Sequence, residues 1–128
     1  MLNWRNPGAQ WMLKAPAHML GIDAIMKVFP DARFIWCHRD PVAVVPSINS
    51  MNKLIMAMYA GDFSHLDSGK IGVAVMEWYA SSLEKGLAQR ERLPEEVFVD
   101  CSQGDFVDQP MAVVERVYEA FGLSMSDE

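Results

Sequence analysis

Arg39 and Ser47 flank the junction between a short apolar run and a helix-like pattern in this sequence. An arginine presents a planar fork of donors that suits phosphate or sulfate. A serine on the following helix points back toward the same anion, because the Cβ atoms of a helix tilt toward its N-terminus. The helix start would add unpaired N–H groups and a positive dipole end. The pattern therefore predicts half of a phosphate-binding site.

The elements that must position these two side chains are a strand and a helix. Phe34 to Cys37 is continuously apolar, as a central parallel strand should be. Asp40 and Pro41 are preferred at the N-cap and first position of a helix. Pro46 leaves two alternatives open: a kinked helix from Pro41 to about Ala60, or a helix that starts near Val45.

The remaining pattern alternates strands and helices, which predicts an α/β fold with a parallel sheet and right-handed crossovers. Trp11-Met12-Leu13, ending at Lys14, is predicted to be a strand. The other predicted elements are a helix over 17–29, a strand over 33–37, a helix over 73–93, a strand over 97–99, a loop over 102–108 and a helix over 110–121 closed by Gly122. The apolar side of the 73–93 helix is predicted to carry Trp78, Tyr79, Leu83 and Leu87. About three strands are fewer than such sheets usually have, so residues 1–128 are expected to be one partial domain.

Composition excludes several classes of protein. The net charge of −6 argues against nucleic-acid binding. No apolar run approaches the ~18 residues that span a membrane, and no signal peptide is visible. Two alternatives therefore stay open: a cytoplasmic location, or a sequence whose beginning is missing. Cys37 and Cys101 lack metal-ligand spacing and are expected to be buried, reduced thiols. No metal site is predicted.

Three blocks of this sequence resemble the sulfotransferase family that uses 3′-phosphoadenosine 5′-phosphosulfate (PAPS). They are WMLKAPAHML, FPDARFIWCHRDPVAVVPSINSM and VDCSQGDFVDQPMAVVERVYEAFGL. The resemblance runs from about Leu2 to Leu123, and it implies a P-loop-like α/β fold. It also implies that Arg39 and Ser47 bind the 3′-phosphate of PAPS and that Lys14 faces the transferred sulfuryl group. A cation there would stabilise charge developing on the bridging oxygen.

His18 is the histidine near that sheet edge with a route to an acceptor hydroxyl, so it is the candidate general base. Alternatively it caps the helix start or bonds within the loop. His38 is expected to be structural. Asp105 is expected either to orient the site or to cap a helix.

Two features depart from the family pattern. The family binds the 5′-phosphosulfate in a Gly-rich loop after its first strand, and no such loop precedes Trp11. Ser68-Gly69-Lys70 lacks the required glycine spacing and is expected to form a turn. Gln103 stands where relatives often carry a tyrosine.

The leading hypothesis is sulfuryl transfer from PAPS to a hydroxyl or amine, on a small-molecule or glycan acceptor, with this chain alone inactive. A nucleotide phosphotransferase is disfavoured because a Walker-type lysine and a magnesium-binding Ser/Thr are missing from the sequence. The other alternative is a non-catalytic remnant that folds and self-associates, as a homo-oligomer.

Overall fold

A computed structural model describes residues 10–60 and 67–125 of the chain. Its elements follow one another as a 3₁₀ helix (Pro16–Leu20), α1 (Ile22–Val28), β1 (Phe34–His38), α2 (Pro41–Ala60), α3 (Ser68–Arg90), a 3₁₀ helix (Glu95–Val97), β2 (Phe98–Ser102), α4 (Gln103–Asp108) and α5 (Pro110–Ala120). The mixed α/β class predicted from the sequence is confirmed. Within the described residues, no helix is both long enough and apolar enough to cross a membrane.

The sheet has two strands in the part of the chain that the structure describes, and they are parallel as predicted. The register pairs Phe34 with Phe98 and His38 with Ser102. The strand expected at Trp11-Met12-Leu13 is wrong: residues 10–15 have no regular secondary structure. A strand requires a ladder of backbone hydrogen bonds to a neighbouring strand, and residues 11–13 make no backbone hydrogen bond with the described residues.

The two faces of the sheet pack against different helices, because successive strand residues point to opposite sides. Val99 and Cys101 pack against Val113 and Val117 of α5 on one face. On the other face Phe98 packs with Ile22 and Val97, and Phe34 and Trp36 lie against that cluster. Arg90 and α1 therefore share a face with Trp36, and α5 covers the opposite one.

Helix α3 begins at Ser68 rather than at the predicted Val73. Asp67 is its N-cap, and its carboxylate accepts hydrogen bonds from the amides of Gly69 (2.9 Å) and Lys70 (3.2 Å). Ser68-Gly69-Lys70 is thus the first turn of a helix and not an isolated turn. Residues 61–66 of the predicted connection lie outside the described residues.

The predicted apolar face of α3 is also wrong. Trp78, Leu83 and Leu87 are exposed and Tyr79 is half-buried, whereas the buried positions are Val75, Ser82 and Gly86. A Cβ on Gly86 would lie 2.5 Å from Met19 Cγ, 3.1 Å from the Met19 carbonyl oxygen and 3.2 Å from Trp36 Cη2. Gly86 allows α3 to approach the 3₁₀ helix at Met19 and β1 at Trp36 closely, so the small side of the helix, and not its most apolar side, faces them.

The C-terminal helices confirm one prediction and correct another. The expected loop over 102–108 is helix α4, whose N-cap Ser102 accepts a hydrogen bond from the Asp105 amide (3.2 Å). The expected final helix is α5, and Gly122 follows it with φ +64°. Gly122 donates to the Glu119 carbonyl and Leu123 to the Tyr118 carbonyl, which is the hydrogen-bond pattern of a Schellman C-cap.

Candidate functional site

Arg39 lies between the last residue of β1 and the helix start, as the sequence predicts, and it is exposed. Helix α2 begins at Pro41 and contains Pro46, so the alternative start near Val45 is excluded. The Asp40 carboxylate accepts a hydrogen bond from the Val42 amide at 2.9 Å, which confirms Asp40 as the N-cap. Pro46 has no N–H, so the Val42 carbonyl lacks its usual helical donor.

The first-turn amides of α2 are not available to an anion. Pro41 has no N–H, and the Val42 amide is bonded to the Asp40 side chain. The amides of Ala43 and Val44 both donate to the Asp40 carbonyl at 3.0 Å. The predicted contribution of unpaired N–H groups is therefore wrong. Side chains, above all that of Arg39, must supply the donors for an anion at this end of the sheet.

Ser47 is exposed on α2, close to two full turns after Asp40. A helix turns by roughly 100° per residue, so residues seven apart lie about 20° from alignment. Ser47 consequently lies on the same side of α2 as its N-cap, Asp40. The Cβ of Ser47 tilts toward the N-terminal end of the helix, next to Arg39. Arg39 thus lies just before α2, and Ser47 lies in its second turn.

Lys14 and His18 lie in a separate segment. Lys14 is exposed in the irregular stretch before the first 3₁₀ helix, and His18 is half-buried within that helix. The His18 backbone amide donates to the Ala15 carbonyl at 3.1 Å, and its carbonyl accepts from Gly21 at 3.0 Å. Among the described residues, no hydrogen bond or ion pair joins this segment to Arg39 or Ser47. A catalytic role for either residue remains a prediction.

An open surface depression of about 570 Å³ lies beside the start of α3. Its lining includes Asp67, Gly69 and Lys70, and none of the four predicted site residues. The amides of Gly69 and Lys70 already bond to Asp67, whose negative charge would also repel a phosphate. The depression is therefore not a phosphate site, whatever its size.

Sequence reasoning missed a cluster around Asp100 of β2. Its carboxylate accepts hydrogen bonds from both terminal nitrogens of Arg90 (2.7 and 2.5 Å) and lies 2.6 Å from His38 Nε2. Hydrogen bonding to Arg90, reinforced by His38, holds the pKa of Asp100 well below its usual range, against the opposing effect of burial. A single acidic residue inside the apolar run VFVDCS was the available signal.

The cysteines are partly as predicted. Both are free thiols, and their residues are register partners on β1 and β2. Cys101 is buried, but Cys37 is exposed and corrects the expectation that both are buried. Residues 10–60 and 67–125 contain no group of three or more His, Cys, Asp or Glu side chains that could hold a metal ion.

The sequence was compared with protein-family models and with known proteins. The family model described as "Sulfotransferase family" matches residues 1–127. Omega-hydroxy-beta-dihydromenaquinone-9 sulfotransferase Stf3 is 30% identical over 115 residues, in both Mycobacterium bovis and Mycobacterium tuberculosis. That match covers 88% of this chain and 28% of Stf3.

Two solved structures are similar to the fold. Sulfotransferase STF9 from Mycobacterium avium superposes with a TM-score of 0.85 and 31% identity, covering 93% of this chain and 30% of that one. Sulfotransferase STF1 from Mycobacterium tuberculosis H37Rv gives a TM-score of 0.81 and 28% identity, covering 98% and 33%. The chain thus spans about a third or less of the length of the relatives it matches.

Proposed function

This chain belongs to the sulfotransferase family, and we propose that it supplies the 3′-phosphate-binding part of a domain that transfers a sulfuryl group from PAPS. The observation that carries this proposal is the β1–α2 unit. In this unit Arg39 directly follows β1, and Ser47 lies on the next helix, on the same side as the N-cap Asp40. The whole domain's activity is part of the proposal, because the chain spans only 28% of the curated relatives' length.

Arg39 and Ser47 act through their side chains. The guanidinium donates two hydrogen bonds to a phosphate in a bidentate fashion, and the hydroxyl donates a further one. The Asp40 side chain and carbonyl occupy the first-turn amides of α2, so little binding free energy comes from the helix backbone. Removing Arg39 should therefore remove most of the affinity for the 3′-phosphate.

Lys14 and His18 carry the proposed chemistry. Sulfuryl transfer, like phosphoryl transfer, depends mainly on in-line positioning and on stabilisation of charge. Lys14 would stabilise the negative charge that grows on the bridging oxygen of the donor. His18 would accept the proton of the acceptor as that group attacks the sulfur.

A hydroxyl is the better-supported acceptor. The Stf3 relatives are named for acting on an omega-hydroxylated menaquinone. We extend that chemistry, an alcohol oxygen attacking sulfur, to this chain, and we expect a small-molecule acceptor rather than a nucleic acid.

The proposal is tested by nucleotide binding. Adenosine 3′,5′-bisphosphate and adenosine 5′-phosphate differ only in the 3′-phosphate, and heteronuclear NMR titration measures even millimolar affinities for both. The chain should prefer the bisphosphate. Arg39→Ala should weaken its binding by about 1.5–3 kcal/mol, the range for a hydrogen bond to a charged group, and leave the monophosphate unchanged.

Arg33→Ala is the matched control. Arg33 is also exposed, and its guanidinium bonds only to the nearby carbonyls of Asp31 and Ala32 among the described residues. This variant should keep the preference for the bisphosphate. Equal losses of both nucleotides in Arg39→Ala would contradict the assignment of the 3′-phosphate to Arg39.

A further inference from the structure

Asp100 ties together three elements of the fold. Arg90, the last residue of α3, donates to both of its carboxylate oxygens, at 2.7 Å (Nη1 to Oδ1) and 2.5 Å (Nη2 to Oδ2). His38, the last residue of β1, lies with Nε2 at 2.6 Å from Oδ1. One carboxylate on β2 therefore connects the end of a helix to the end of the neighbouring strand.

The geometry of Arg90 prevents the carboxylate from turning. Its guanidinium lies over two aromatic rings. The Cζ atom is 5.2 Å from the centroid of the Trp36 ring and 4.8 Å from that of the Phe98 ring. The Arg90 side chain is only 25% exposed, against 46% for Asp100. A bidentate arginine–carboxylate pair fixes orientation as well as distance, and here two aromatic rings hold the arginine itself in place.

The chain on both sides of Arg39 is fixed by hydrogen bonds. His38, immediately before it, contacts Asp100. Asp40, immediately after it, accepts the Val42 amide with its side chain and the amides of Ala43 and Val44 with its carbonyl. Arg39 is the one residue between these two attachments, so its Cα is held relative to both the sheet and α2.

We propose that His38 and Asp100 are positioning residues that hold Arg39 where it meets the 3′-phosphate of the donor. This inference rests on the proposed function, because it assigns the two residues a role at the same site. A purely structural clip would make a different prediction: stability would fall when it is broken, but the discrimination between nucleotides with and without a 3′-phosphate would not change.

The experiment uses the full chain and the same two probes, adenosine 3′,5′-bisphosphate and adenosine 5′-phosphate. Asp100→Asn keeps the shape of the side chain but removes the charge that binds Arg90. His38→Ala removes the second contact, and His38→Gln restores a donor near the position of Nε2. We expect Asp100→Asn and His38→Ala to lower the preference for the bisphosphate about fivefold or more. His38→Gln should recover most of it.

Asp23→Asn is the control for loss of a carboxylate. Asp23 on α1 forms an ion pair with Arg92, and its side chain is 52% exposed, similar to that of Asp100. It has no described contact with His38 or Arg39, so its loss should leave the nucleotide preference unchanged. If Asp100→Asn proves too unstable to titrate, the comparison of His38→Ala with His38→Gln still tests the proposal. The His38 side chain is 54% exposed, and its removal leaves the ion pair between Arg90 and Asp100 intact.

The outcomes separate this inference from the proposed function. If the wild-type chain shows no preference for the bisphosphate, the proposed function is overturned and the positioning role with it. If the wild type prefers the bisphosphate and Arg39→Ala abolishes that preference, but the Asp100 and His38 variants retain it, the function stands and the positioning role is overturned. Equal weakening of both nucleotides in these variants would also overturn it.

Discussion

Arg90 and Asp100 form a bidentate ion pair whose guanidinium also lies over the rings of Trp36 and Phe98. Most surface ion pairs contribute little because both side chains must be ordered in water. In this pair the aromatic rings already order the arginine. Hydrogen bonding to Asp100, the largest effect, raises the pKa of Arg90, and the same bonds lower that of Asp100.

The lowered pKa of Asp100 predicts a specific acid sensitivity. The folded pKa lies below the unfolded value of about 3.9, so the stabilisation is complete above about pH 4 and is lost as the pH falls toward the folded pKa. Since Asp100 is nearly half exposed, solvent screening reduces the effect. Urea unfolding at pH 2 to 6 should show a shallower loss of stability below pH 4 in Asp100→Asn than in the wild type. Asp23→Asn should keep the wild-type slope, and identical slopes in all three proteins would contradict the assignment.

Gly86→Ala is predicted to destabilise the chain. The added Cβ would lie 2.5 Å from Met19 Cγ, which can move, but also 3.1 Å from the Met19 backbone oxygen, which cannot move without shifting the 3₁₀ helix. Overpacking typically costs about 1–3 kcal/mol, whereas replacing a helical glycine by alanine gains about 1 kcal/mol. The net loss should appear as a lower Tm by circular dichroism. Gly21→Ala, which meets nothing within 4 Å, should not lower Tm; an equal or higher Tm for Gly86→Ala would show that the contact adapts.

The β1–turn–α2 unit is the part of the fold that sequence predicts best. The apolar run locates the strand within one residue, and Pro41, one of the two helix starts that the sequence left open, is the observed one. Both signals are local: a continuously apolar strand and a side chain that caps its own helix. Local signals of this kind are also what select Arg39 and Ser47 as candidates for an anion site.

The features that sequence did not predict depend on distant partners. Asp100 is significant only because Arg90 and His38, 10 and 62 residues away, converge on it. The buried face of α3 depends on Gly86 meeting Met19 and Trp36. The N-cap of α3, Asp67, is by contrast a local signal. It did not lead to a predicted helix start at Ser68, because Gly69 and Gly72 in the first turns are typical of a loop. Hydropathy patterns alone contain no information about such long-range packing.

The two thiols should react at different rates. Cys37 is exposed and Cys101 is buried, so iodoacetamide should modify one thiol in the native chain and two in denaturant. Partial burial raises the pKa of Cys37, and the electrostatic effect of the nearby Cys101 raises it further, as the smaller of the two causes. Less thiolate is then present at neutral pH, so the native reaction should be slower than that of a free cysteine and accelerate with rising pH. Peptide mass spectrometry identifies the modified residue; first modification at Cys101 would contradict the described packing.

Lys14 and His18 make separable predictions in an active enzyme. A suitable one is a chimera in which this chain replaces the matching segment of a mycobacterial relative. Lys14→Met should lower turnover by roughly 10²–10³ at every pH, as expected when one group that stabilises a developing charge is lost. His18→Ala should lower turnover and remove the acidic limb of the pH–rate profile, because a histidine base must be neutral to accept a proton. A His18→Ala chimera with unchanged rate and profile would assign that residue a structural role.

The outer edge of β1 predicts self-association of the chain in solution. Within residues 10–60 and 67–125, β1 pairs only with β2, so its other edge has no described strand partner. Ile35 in this strand is 39% exposed and adds apolar surface. An unprotected edge of this kind pairs readily with another chain. Light scattering should therefore show a mass that rises with concentration.

A lysine in such a strand opposes edge pairing, since the second chain would have to bury its charge. Ile35→Lys should shift the chain toward the monomer. Val107→Lys, on α4 and also exposed, should not, because it changes charge equally without touching the edge. A wild-type chain that remains monomeric at every concentration, or the same shift in both variants, would show that the β1 edge does not mediate association.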